Sequence, residues 1–262
     1  MPAKPRTRKT RAARERTALY KTKSRTGLSP TEQKAVDEFR ARLKRILPNG
    51  GLKSLILYGS RARGDARRGS DVDLLVVYDA ARGEKKDAIR EVADDIALGA
   101  LRQDQTAMLD IEPLVETTAE LKQDTALGMP LLQNIAREGI VLEGEPIVPE
   151  KMDRKYWTGM HIADAKRQLH SARLLLADGD IRSAISMAYF VYLDAARAAL
   201  IAKDIAPQSH AGTNRLFGLH FIKTGLLAKK FGPHFGRLET DRLEATYTKK
   251  KQFTKEDADR AL

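Results

Sequence analysis

The sequence predicts an α+β chain of two unlike halves, a small mixed sheet flanked by helices and then an all-α antiparallel helical bundle. Three observations predict it. Two nearly continuous apolar runs, 53–58 and 71–78, read as strands covered on both faces. A third such run, 107–115, follows a segment, 84–102, whose apolar residues Ile89, Val92, Ile96 and Leu101 recur as on a helix. Beyond residue 150 no strand pattern is convincing, and 181–203 is apolar almost all round, which marks a central buried helix.

The 262 residues suffice for two ordinary domains, and 42% apolar with 31% charged residues fits a globular chain. Cysteine is absent, which excludes disulfides and Cys-ligated zinc. No apolar run is expected to approach the ~18 residues that span a bilayer, and no hydrophobic leader core stands at the start. A cytoplasmic protein without a membrane partner is the expectation. Ten Lys or Arg and one Glu give residues 1–26 a charge of +9 out of the total +12. With almost no large apolar residues, this segment is expected to be disordered. It either contacts nucleic acid through its cations or is simply solvated.

Ser29-Pro30-Thr31-Glu32 opens the first helix as a capping box with Pro at the first turn, and Pro48-Asn49-Gly50-Gly51 ends it. Thr117 to Glu120 caps another helix after the third strand. A short helix over 129–139, a small strand at 141–142 and a linker at 144–149 complete the first half. In the second half, helices are expected at 152–177, 181–203, 211–225, 227–237 and 254–262. The organisation is then a basic segment 1–26, a sheet domain 27–145 and a bundle 146–262.

The chemistry lies between the first two strands, in Leu55-Ile-Leu-Tyr-Gly59-Ser60-Arg61-Ala-Arg63-Gly-Asp65-Ala-Arg67-Arg68-Gly-Ser70-Asp71-Val-Asp73. In a strand, residues i and i+2 share a face, so Asp71 and Asp73 are neighbours. Adjacent carboxylates repel, which raises the pKa of at least one unless a cation sits between them. Mg²⁺ accepts carboxylate oxygens together with substrate phosphates. Gly59 lets the backbone approach a ligand, and N–H groups with the Ser60 hydroxyl can hold phosphate oxygens. In the third strand, Asp110 and Glu112 share a face by the same rule, and an acid in an apolar strand is costly unless paired or metal-bound. Pro113 cannot donate to a ladder and predicts that this strand ends near Glu112.

These residues resemble the nucleotidyltransferases of the DNA polymerase β superfamily, in particular the minimal kind with Gly-Ser-Arg-Ala-Arg-Gly, over about residues 30–145. The resemblance implies an enzyme of the EC 2.7.7 type. Gly59, Ser60, Arg61, Arg63 and Ser70 would bind an NTP, expected to be ATP. Asp71 and Asp73 would hold two Mg²⁺ ions, with Mn²⁺ as a substitute, and a third carboxylate would follow on a later strand. Asp110 is the expected third member and Glu112 the alternative; both on a bare edge strand is the plain reading. Arg67 and Arg68 would join Arg61 and Arg63 in neutralising pyrophosphate, although solvation or pairing with Asp65 is the plainer role for at least two of the four.

The second half resembles the HEPN domain (higher eukaryotes and prokaryotes nucleotide-binding). The matching stretches are Ala184-x-x-x-Ala188-Tyr189-Phe190, Ala195 to Leu200, Ser209-His210-Ala-Gly212 and Phe221-Ile-Lys-Thr-Gly225. A nucleotidyltransferase followed by a HEPN bundle is a recurrent pairing. Many HEPN domains are ribonucleases with an Arg and a His that would fall here at Met187 and Asp194. Met187 cannot stabilise a phosphate, and Asp194 reads as an ion pair with Arg197. Arg215 and His220 have a suitable spacing but lie on a later helix. His210, beside Ser209 at a helix start, is expected to serve the cap.

The expected reaction transfers an NMP to a hydroxyl, on a protein as in toxin–antitoxin relatives of this pairing. Tyr189 and Tyr192 sit suggestively for such an acceptor but read better as core aromatics. An aminoglycoside-type antibiotic nucleotidyltransferase is the alternative, and a nucleotide-binding regulator or HEPN ribonuclease a further one. A second copy of the chain is a compatible partner.

Overall fold

The computed structural model of the chain describes residues 26–80, 84–103, 109–207, 209–248 and 250–262. Apart from Thr26, the basic segment expected over 1–26 lies outside them, as do the first two residues of the strand expected at 107–115. The structure divides into two units, 1–151 and 152–262.

In the first unit, helix α1 (Pro30–Ile46) starts at the predicted capping box: Ser29 Oγ accepts from Glu32 N, and the Glu32 carboxylate accepts from Ser29 N. Strand β1 (Leu52–Leu57) runs into the short helix α2 (Gly59–Arg63), followed by β2 (Val72–Tyr78) and α3 (Lys86–Gln103). Then come β3 (Ile111–Thr117), α4 (Thr118–Ala126), α5 (Pro130–Glu138) and β4 (Ile140–Gly144). The sheet order is β3-β2-β1-β4. β1 is antiparallel to β2 and β4, and β2 is parallel to β3, so the sheet is mixed as predicted.

Both faces of β1 and β2 are covered, which is why these strands lack alternation. Leu55, Leu57, Leu74, Val76 and Tyr78 pack with Phe39, Leu43, Ile89 and Ile96. On the other face Ile56, Leu75 and Val77 pack with Leu132, Ile135 and Ile147. That second core corrects the expected linker: Ile147 is buried and Ser54 Oγ donates to Glu145 O at 2.6 Å. The segment after β4 is therefore part of the sheet domain.

The third strand also departs from expectation. It runs through Pro113 to Thr117, because β3 is an edge strand and a residue without N–H costs nothing on the open side. Asp110 falls just ahead of the strand and Glu112 inside it.

The second unit holds α6 (Arg154–Ala177), α7 (Ile181–Ala202), α8 (His210–Phe217), α9 (Phe231–Leu243) and α10 (Lys255–Ala261), with π turns at Gly218–Ile222 and Glu244–Thr248. α6 and α7 are joined through Gly179, at φ 85°, where a left-handed turn suits glycine. The helix expected at 227–237 starts later, because Pro233 fits only in a first turn, whose N–H groups are unpaired anyway. Contrary to expectation, α7 is long and apolar enough to cross a membrane by length and composition. More than half of that stretch is buried, as in a core helix. Its Ala188, Tyr189, Leu193, Ala196 and Leu200 pack with Phe217, Phe235 and Leu238.

Candidate active site

The turn from β1 into α2 brings the Gly59 backbone against Asp73. Gly59 has φ 69°, and a Cβ there would stand 1.9 Å from Asp73 Oδ2. Only glycine permits that approach. Tyr58 N donates to Asp73 O at 3.0 Å and locks the two strand ends together. Tyr58, at the N-cap, gives no side-chain cap to α2, and the Ser60 hydroxyl has no partner among the described residues. The first N–H groups of α2 and this hydroxyl are thus available to an anion.

Asp73 lies in β2 and Asp71 just ahead of it, two residues away. The Asp73 carboxyl is pushed up to about 6, first by burial and then by the charge of Asp71, with a smaller push from Glu112; only Arg63 opposes them. Glu112 is the register partner of Asp73 across the parallel pair. Asp110 sits one step ahead of the paired register, is exposed, and gives its carbonyl to Val72 N at 2.8 Å. The structure therefore brings Asp73 and Glu112 abreast and leaves Asp110 nearer Asp71.

Among the described residues no three acidic or imidazole groups stand close enough to hold a metal ion unaided. The donor set nonetheless fits a hard divalent cation. Asp73 is burdened by burial and then by the charges of Asp71 and Glu112, against which only Arg63 acts, and a cation held by these carboxylates would relieve that burden. Phosphate oxygens and waters would complete such a shell.

Two of the four arginines are engaged by acids, and the expected pair with Asp65 is made by Arg63. Arg61 pairs with buried Glu32 and donates to Ser70 O at 3.1 Å. Arg63 bonds Glu138 at 2.9 Å and Asp65 at 3.2 Å. Ser70 Oγ accepts from Arg67 N at 2.9 Å and so shapes the loop. Sequence reasoning missed the roles of Glu32 and Glu138, whose partners are distant in the chain. It also missed Glu116, on the same face of β3 as Glu112. Glu116 is buried, its Oε2 has no partner, and its carboxyl is pushed up to about 7 by burial and then by Asp124 and Glu120. The two-residue parity from Glu112 was the available signal. The Tyr58 phenol is likewise pushed up, by burial and then by Asp73, Glu112 and Glu116.

Comparison with known families agrees with this geometry. The family described as "Nucleotidyltransferase domain" matches residues 36–124, and the family described as "HEPN domain" matches 159–262. The chain belongs to the proteins that join a nucleotidyltransferase domain to a HEPN domain. A UPF0332 protein of Pyrococcus horikoshii is 36% identical over 94 residues, covering 36% of this chain and 62% of that protein. A Methanocaldococcus jannaschii protein named "Putative toxin MJ0605" is 32% identical over 95 residues, covering 36% of this chain and 70% of that protein. The chain thus spans less than two thirds of the Pyrococcus relative's length. A solved structure of a nucleotidyltransferase-like protein from Exiguobacterium sibiricum is 13% identical with a TM-score of 0.39, covering 86% of this chain and 71% of that one.

In the HEPN domain, Asp194 is a fully partnered residue. His161 Nδ1 lies 2.9 Å from its Oδ1, Gln168 Nε2 donates to Oδ2 at 2.8 Å, and Arg197 stands 3.7 Å away. Burial alone would raise its carboxyl, yet these bonds and the Arg197 charge hold it below the usual range. The expected Arg197 pair is thus present but is the weakest of the three contacts. His210 does not serve the cap, which is made by Ser209 Oγ accepting from Gly212 N; its Nδ1 instead lies 2.8 Å from the Tyr189 hydroxyl. Tyr192 donates to Phe231 O at 2.9 Å. Both tyrosines are core aromatics with occupied hydroxyls. Arg215 and His220 share no hydrogen bond among the described residues.

Proposed function

We propose that the nucleotidyltransferase domain moves an NMP from an NTP, ATP by preference, to a hydroxyl on a protein, with Mg²⁺ held by Asp71, Asp73 and Glu112. The observation that carries this reading is the contact of the Gly59 backbone with the Asp73 carboxylate. It sets a phosphate-accepting backbone beside the acidic face of β2. Glu112 is favoured over Asp110 as the third carboxylate because it is abreast of Asp73 and adds to its charge burden.

When bound, the metal would supply charge neutralisation at the phosphates and a lowered barrier to hydroxyl attack. Ser60 and the N–H groups at the start of α2 would hold β- and γ-phosphate oxygens. Asp71 and Asp73 would orient the triphosphate so that the acceptor lies in line with the bond to be broken. The hydroxyl oxygen would bond to the α-phosphorus as the bond to the bridging oxygen breaks. Pyrophosphate leaves, and Glu112 would take the hydroxyl proton. Arg63 would reach the leaving group only after releasing Asp65 or Glu138.

A protein acceptor is favoured over an aminoglycoside because a cationic drug needs unpaired acids. In the HEPN domain Asp194, Asp241 and Asp257 are already paired, with Arg197, Lys251 and Arg260. The likeness to a protein named as a toxin points the same way. Mass spectrometry of a bacterial lysate after incubation with the chain, Mg²⁺ and each NTP in turn tests it. One NMP on a Ser, Thr or Tyr, absent with Asp73→Asn, is the expected result. Nucleotide found on an added aminoglycoside and on no protein would overturn the acceptor class. Activity lost in Asp110→Asn and kept in Glu112→Gln would move the third role.

A further inference from the structure

Asp71 and Asp73 are held in place by different means. Asp73 stands in the ladder of β2, opposite Glu112, and its carbonyl accepts from Tyr58 N at 3.0 Å. Asp71 precedes the strand. Behind it lies a mostly exposed loop that turns at Gly64, with φ 85°, and at Gly69, with φ 79°. Two bonds between Arg67 and Ser70 close the loop: Ser70 N donates to Arg67 O at 3.0 Å, and Arg67 N donates to Ser70 Oγ at 2.9 Å. Neither ties the end of the loop to the rest of the domain. Arg61 does so, because its Nη2 donates to Ser70 O at 3.1 Å, one residue before Asp71. The same Nη2 pairs with Oε1 of Glu32. The other Glu32 oxygen, Oε2, accepts from Ser29 N at 2.7 Å, at the start of α1. Gly27 N donates to Arg61 O at 2.9 Å, and a Cβ on Gly27 would stand 2.7 Å from that oxygen. The lead-in to α1 is thus pressed against α2.

The Glu32 and Arg61 side chains are 7% and 12% exposed. A pair this far from water adds little net stability over apolar residues of the same shape, since desolvation offsets the attraction. What it supplies is direction. A planar guanidinium fixes where its N–H groups point, and the two on Nη2 meet two acceptors. One is a carboxylate fixed in the first turn of α1, and the other is the carbonyl next to Asp71. Arg61 also follows two residues after Gly59, whose backbone meets the Asp73 carboxylate. We propose that Glu32 is a positioning residue for NMP transfer: acting through Arg61 and Ser70 O, it sets where Asp71 stands relative to Asp73. This role rests on the reading of those aspartates as metal carboxylates. Arg61 then serves as a strut and not as a ligand of the triphosphate.

Amide exchange of the metal-free full chain, read by NMR, tests the strut without reference to activity. Glu32→Gln keeps the shape and an acceptor for Ser29 N but removes the charge that holds Arg61. Exchange at the Arg67 and Ser70 amides is expected to speed at least about tenfold in Glu32→Gln and in Arg61→Gln. Ser29→Ala weakens the same capping box without touching Arg61, so it lowers the melting temperature and leaves those amides unchanged. The double variant of Glu32 and Arg61 should match Arg61→Gln alone, because Glu32 acts through Arg61. If Arg61→Gln does not fold, Glu32→Gln against Ser29→Ala carries the test. Titration with Mn²⁺ alone then reads the site. Glu32→Gln is expected to weaken Mn²⁺ binding at least about tenfold, as loss of a group that orients a ligand does, and Ser29→Ala to leave it unchanged. Loop amides unmoved by Glu32→Gln, or moved equally by Ser29→Ala, would overturn the strut. Faster exchange with unchanged Mn²⁺ affinity would overturn its role at the site. A wild-type chain that binds no Mn²⁺ would overturn the metal reading itself and with it the role in transfer, while amide exchange still decides the strut.

Discussion

Asp73 and Asp194 are both aspartates drawn partly out of water, and the two domains treat them in opposite ways. In the nucleotidyltransferase domain burial and then the charges of Asp71 and Glu112 hold the Asp73 proton tightly, and only Arg63 works against them. In the HEPN domain Asp194 is given His161, Gln168 and Arg197, so its proton is released easily. Like charges left together at one place, while a similar group elsewhere is satisfied, are what a bound cation would relieve, and this contrast is what the proposed role of Asp73 rests on.

The contrast breaks first at Asp73. Asp73→Asn is expected to reduce NMP transfer on the order of 10³-fold, because the charge that orients the triphosphate is gone. The melting temperature of the metal-free protein should hold or rise. A melting temperature that falls by many degrees would mean that Asp73 is structural.

Asp194→Ala should behave in the reverse sense. Leaving Arg197 and the His161 and Gln168 donors without their buried acceptor costs about 3 kcal/mol. Chemical denaturation of the HEPN domain within the full chain reads this directly, and transfer to an added acceptor should persist while the chain is folded.

Gly59→Ala sharpens the geometric side. Its φ of 69° and the close Asp73 oxygen together make any Cβ costly, by about 2 kcal/mol. Transfer should fall with stability, unlike in Asp73→Asn.

The smallest effect is a pH dependence. Asp73 and Glu116 bind protons more tightly folded than unfolded, with folded values of about 6 and about 7. Stability of the metal-free protein should therefore fall as pH rises from the ordinary carboxylate range near 4 to about 7, then level off. Asp194 contributes oppositely: its stabilisation is present above the ordinary carboxylate range and is lost as pH falls through its lowered folded value. Glu116→Gln should raise stability at pH 8 by about 1 kcal/mol, discounted for solvent screening, and change little at pH 4. A melting curve with equal gains at both values would remove ionisation as the cause.

Much of the sheet domain was legible because its signals are local. The Ser29–Glu32 box, the two covered strands and the Asp71/Asp73 parity each follow from neighbours within four residues. Pro113 misled because its cost depends on which side of the strand is open, and that is decided by the sheet order. The expectation for Arg61 and Arg63 missed Glu32 and Glu138, contributed by α1 and α5. His210 was read from its neighbour Ser209, whereas its hydrogen bond goes to Tyr189 on another helix.

The sequence by itself determined the kind and order of the elements, though not every boundary, and which acids share a strand face, since backbone sterics and side-chain periodicity act over a few residues. Only the tertiary structure decided which charges meet. Asp73 and Glu112 are abreast because β2 and β3 pair in one parallel register, and a shift of one residue would turn Glu112 to the other face. Asp194 is satisfied because α6 lies along α7 and brings His161 and Gln168 to it. Coulomb and hydrogen-bond energies depend on distance in space, and that distance is set by the packing of elements far apart in the chain.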